Sequence, residues 1–101
     1  MSEIIQKCDG HSPPARHHWL ECSDNVIKLR SWSSGGRSNW YIATRDPISD
    51  KWDVIYARME RDTERMPEKG EVSFRTQEET RGDAIEYMIG YGRASYKMGF
   101  M

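Results

Sequence analysis

The stretch "WYIATRDPISDKWDVIYARME", residues 40–60, decides the fold. Its first seven residues are rich in aromatic and β-branched side chains, which suit a pleated, half-buried backbone. The run stops at "DPISDK", where Pro47 has no amide to give to a ladder. "WDVIYARME" then alternates again, with Trp52, Val54 and Tyr56 on one face and Asp53, Ile55 and Ala57 on the other. Two such strands around a polar turn predict an antiparallel hairpin. The Trp52 face is expected to be the core one, and the mixed second face is neither wholly dry nor wholly wet.

Toward the N-terminus, "HHWLECS" and "VIKLRSW" repeat the period of two, with Ile27 and Leu29 opposed to Lys28 and Arg30. Between them Asp24 and Asn25 tolerate turn geometry, and after Trp32 the pair Gly35 and Gly36 frees the backbone for another hairpin. Residues 1–17 read as an irregular lead-in to this meander.

Toward the C-terminus, "RMERDTERMPEKGE", residues 58–71, has nine charged residues in fourteen and reads as an exposed loop. "VSFRT" resumes a strand with Val72 and Phe74 inward. Thr76 and Glu79 then have the spacing of a capping box, which predicts a helix over 77–98. Its apolar stripe is Ala84, Ile85, Met88, Ile89, Tyr91 and Ser95, at three- and four-residue steps. Gly82, Gly90 and Gly92 each cost roughly 1 kcal/mol against Ala, so packing must hold this helix, with Gly90 or Gly92 allowing close approach to the sheet. The expected fold class is α+β: one domain over residues 1–101, with a four- to five-stranded antiparallel meander over 18–76 packed by one C-terminal helix.

A chain of 101 residues with 37% apolar content supports one core. Its 15 basic and 16 acidic residues leave a net charge of -1, divided evenly between the halves, so no overall field draws it to nucleic acid or an anionic membrane. No stretch has the apolar length of a signal peptide or membrane span. A cytosolic location is the resulting expectation, and with it Cys8 and Cys22 as reduced thiols.

Four chemistries are open to these residues. "CDGHSPPARHHWLEC" gathers both cysteines and all three histidines, and Cys8, His11, His17 or His18, and Cys22 approach the spacing of a zinc knuckle. The Cys/His first arm and the stiff Pro13 and Pro14 oppose that reading, leaving Cys22 as a packed strand residue and the histidines as surface groups around Trp19. No metal or other cofactor is expected. Catalysis by a Cys/His pair lacks a group to orient the base, and no nucleophile elbow or phosphate loop is present, so no enzyme is expected. Nucleic-acid binding is the alternative function, with Lys28, Arg30 and Arg37 around Trp40 as phosphate contacts and stacking platform. Its competitor is simpler: four tryptophans in so short a chain are core material.

Protein recognition is the favoured reading. The loop places Met59, Arg61, Arg65, Met66 and Pro67 together, and adaptable apolar groups among arginines are interface material. Arg93 and Lys97 add a basic helix surface. The Met66-Pro67 bond also offers a docking point for a prolyl isomerase.

The "MSEIIQK" start, the aromatic meander and the "GDAIEYMIGYGRASYKMGFM" tail together resemble the anti-RecBCD accessory proteins of lambdoid phages. The resemblance covers the whole chain without a diagnostic motif. It implies a non-enzymatic protein of the host cytoplasm that docks on the RecBCD helicase-nuclease through its RecC subunit. Docking would inhibit or redirect nuclease and recombination activity, with a host prolyl isomerase as a second partner at Pro67.

Overall fold

In the computed structural model, which describes residues 5–32, 38–59, 67 and 72–97, every alternating stretch is a strand. For Trp32, Phe74 and residues 91–97 the backbone alone is described. The strands are β1 (His17–Cys22), β2 (Val26–Trp32), β3 (Ser38–Arg45), β4 (Trp52–Met59) and β5 (Val72–Glu78), followed by helix α1 (Arg81–Lys97). Among the described residues they form one antiparallel sheet in the order β1-β2-β3-β4-β5, so each strand pairs with its sequence neighbours. A simple meander needs no crossover connection.

Register sorts the side chains. Leu29, Tyr41 and Tyr56 are opposite one another across β2, β3 and β4, as are Ile27, Ala43 and Val54 in the next row. These rows point to the helix, where Ala84, Ile85, Met88 and Ile89 are buried against them together with Trp19 and Trp52. The intervening positions of β3 and β4 build a second cluster on the opposite face from Trp40, Ile42, Ala57 and Met59, with Ile55 packed against it. The second face is therefore largely apolar at its centre, while Asp53 on the same face is only partly buried.

Three features differ from expectation. Thr76 and Gln77 pair with Val54 and Asp53, so β5 runs on to Glu78 and the first capping box is consumed by the ladder. The helix begins four residues later than predicted, where Thr80 Oγ1 accepts the Asp83 amide at 3.1 Å. Gly90 is exposed, and a Cβ there would meet nothing within 4 Å, so it is not a point of close approach. Gly92 and the Gly35 and Gly36 hairpin lie outside the described side chains and residues.

The cysteines are the third difference. Cys8 and Cys22 form a disulfide, not a pair of thiols. The lead-in folds back to make it: "CDGH" is a two-residue hairpin with Asp9 (φ 50) and Gly10 (φ 82) both left-handed. Cys8 and His11 exchange both backbone hydrogen bonds across it at 2.9 Å. Asp-Gly is the pair that tolerates this geometry. Pro13 and Pro14 do not prevent the return, because the Pro14 carbonyl accepts the His17 amide at 3.0 Å with Arg16 at φ 64.

Gly90→Ala is expected to raise stability by about 0.5–1 kcal/mol, since the methyl removes unfolded-state freedom without a clash. Met88→Ala should lower it by about 2–5 kcal/mol through the cavity left under the helix. Urea midpoints at unchanged slope check both.

A candidate recognition surface at the β3–β4 turn

The turn that punctuates the opening stretch is tightly built. The Asp46 amide donates to the Lys51 carbonyl and the Asp50 amide to the Asp46 carbonyl, both at 2.8 Å, with Asp50 at φ 63. Asp46 Oδ1 accepts the Ile48 amide at 2.8 Å, and that bond holds the Asp46 carboxyl below its ordinary range. Arg45 ties the turn to the neighbouring one. Its Nη1 pairs with Asp50 Oδ1 at 2.5 Å, and its Nε donates to Asn25 Oδ1 at 2.9 Å. On this frame Ile48 stands 95% exposed, with almost none of its apolar surface used by the fold.

Beside the turn lies an open cleft of about 370 Å³ lined by Asp24, Arg45, Asp50, Trp52, Glu79, Thr80 and Arg81. Arg81 shapes it. Its Nε donates to Asp9 Oδ2 at 2.6 Å, its Nη2 to Asp9 Oδ1 at 3.3 Å and its Nη1 to the Ser23 carbonyl at 2.6 Å. The guanidinium also lies 5.4 Å over the Trp52 ring. Lys51 and Glu79 pair at 3.5 Å across the rim. The cleft thus carries both signs of charge, largely compensated within the chain, around an aromatic floor.

The residues singled out from the sequence lie elsewhere. Met59 is 2% exposed in the second cluster, so it is core and not a partner contact. Arg61, Arg65 and Met66 are outside the described residues, Pro67 is half-buried, and Arg93 and Lys97 lie on α1 with their side chains outside the description. In the alternative nucleic-acid set, Trp40 is 2% exposed and Arg30 lies 5.3 Å over its ring. A buried ring already covered by a guanidinium is not a stacking platform. Lys28 pairs with Glu21 at 3.1 Å, which lowers the Glu21 carboxyl, and Arg37 is outside the described residues.

The metal set does not assemble as thiolates and imidazoles. The Cys8 and Cys22 sulfurs and an Asp9 carboxylate oxygen lie within 4.8 Å of one another, yet the sulfurs are bonded to each other and Asp9 is held by Arg81. The His11 carbonyl accepts Trp19 Nε1 at 3.0 Å, and His18 is exposed. His17 is 3% exposed, with Nδ1 2.9 Å from the Ala15 carbonyl. A carbonyl only accepts, so the ring proton is on Nδ1. No protein-family model matches this chain, and neither a curated protein nor a solved structure is found to be similar to it.

Burial, reinforced by His18 and partly opposed by the Ala15 hydrogen bond, lowers the His17 pKa from its ordinary 6.5. The folded state then binds fewer protons than the unfolded one. Stability from this group is full above the unfolded value and declines as pH falls below it. Denaturant titrations from about pH 7 to about pH 5 should show that decline, and His17→Gln should flatten it.

Proposed function

We propose that this domain is a non-enzymatic binding protein that offers the turn at residues 46–50 and the adjoining cleft to a protein partner. The observation that carries the reading is Ile48, a large apolar side chain left in water on a turn whose hydrogen bonds are already made. A fixed anchor loses little freedom on docking, so its buried area converts efficiently into affinity. Ion-paired residues around it supply the polar rim that interfaces use for orientation. No helix among the described residues is long and apolar enough to cross a membrane.

The partner proposed from the whole-chain resemblance is the host RecBCD helicase-nuclease, contacted through RecC in the host cytoplasm. Its nuclease and recombination activities would be inhibited or redirected by occupancy alone. A prolyl isomerase contact at Pro67 belongs to the same proposal, since Pro67 keeps part of its surface in solvent.

Affinity capture from a nuclease-treated bacterial lysate tests both halves. The unsubstituted domain should recover RecBCD subunits, and Ile48→Asp should weaken recovery at least about tenfold with folding unchanged. Recovery of no RecBCD subunit removes the partner. Equal recovery by Ile48→Asp moves the contact surface away from the turn.

A further inference from the structure

The disulfide sits in an asymmetric setting. Cys8 is 0% exposed within the core cluster that includes Trp19 and Ile27, while Cys22, at the end of β1, is only partly buried. Arg81 Nη2 donates to Cys22 Sγ at 3.4 Å. Among the described residues Cys8 Sγ accepts no hydrogen bond from a cation, although the same guanidinium lies nearby across the disulfide. The two sulfurs therefore differ both in access and in how well each would carry negative charge.

Thiol–disulfide exchange needs both properties in a particular arrangement. The attacking thiolate bonds to one sulfur, and the electron pair of the broken bond leaves on the other. Attack at Cys22 is the open route, but it expels the Cys8 thiolate into apolar surroundings that disfavour its charge. Attack at Cys8 would expel the Cys22 thiolate beside the Arg81 guanidinium, a favourable leaving group. That route requires a reagent to reach a fully buried sulfur. Access and leaving-group stabilisation thus fall on different atoms, so neither route is fast in the folded chain.

We propose that the Cys8–Cys22 bond is a thiol-resistant staple, kept by the folded domain in a glutathione-type reducing medium until the N-terminal hairpin opens locally. The full reaction with a dithiol is balanced. Its first thiolate forms a mixed disulfide with Cys22, and Cys8 departs with the electron pair and takes a proton. The second thiolate then displaces Cys22, which is protonated, and the reagent ends as its cyclic disulfide. A staple of this kind reconciles a cross-linked chain with a cytoplasmic location, where exposed disulfides are reduced.

The test treats the unsubstituted full chain with excess dithiothreitol, with and without denaturant, and counts alkylated thiols by mass over time. Reduction of the folded chain should be at least ~30-fold slower than that of the unfolded chain, the protection expected when exchange waits on local opening. A smaller rate ratio, or a freshly isolated chain carrying two free thiols, would overturn the proposal.

Discussion

The guanidinium of Arg81 is the interaction on which one end of this domain depends. A planar fork with five N–H donors reaches the Asp9 carboxylate, the Ser23 carbonyl and Cys22 Sγ at once while resting on Trp52. A lysine ammonium, a point charge on a flexible stem, cannot hold that geometry. Through these contacts the first residue of the helix is joined to the N-terminal hairpin, the turn between β1 and β2, and the floor of the cleft. A cation at the start of a helix opposes the helix dipole. Asp9 compensates that charge from outside the helix and Asp83 from its first turn. The disulfide acts in parallel, bringing the hairpin that carries Asp9 to the end of β1.

The sheet above this clasp buries side chains at the centre of both faces, which is unusual for a meander with a single helix. One face receives α1 and the other holds the Trp40 cluster with Arg30 against its ring. That arrangement removes most large apolar groups from solvent. Among the large hydrophobic residues whose side chains are described, Leu20 and Ile48 remain exposed. Leu20 is the extra residue of a bulge on edge strand β1, where an irregularity discourages pairing with another chain. Ile48 has no such role in the fold, and its exposure gives the turn its functional interest.

Much of the fold was legible because strand alternation is dense here: Ile27 and Leu29, then Trp52 and Val54, identify the core face directly. The helix start was misplaced at Thr76, whose capping spacing with Glu79 is overridden because the β4–β5 ladder takes up Thr76 and Gln77, so the cap falls to Thr80. The disulfide was missed because compartment outweighed local chemistry. "CDGH" contains an Asp-Gly hairpin signal, but nothing in linear spacing says that it returns to Cys22. Met59 was read as loop because a charge run begins beside it, whereas its alternation with Ala57 places it in the second cluster. Ile48 was hidden inside a segment recognised only as a strand breaker. The exposure of an apolar turn residue is a tertiary fact.

Arg45 and Arg81 tie together the end of the domain that carries the exposed Ile48, which is the surface the proposed binding function uses. Cross-saturation of isoleucine δ1-methyl groups in the labelled domain, irradiated through the proposed partner, unlabelled RecBCD, reads that contact directly. Ile48 should lose the most intensity while Ile27, Ile42 and Ile85, buried in the two clusters, lose little. Strongest loss at Ile55 on the opposite face, with Ile48 unaffected, would contradict the account.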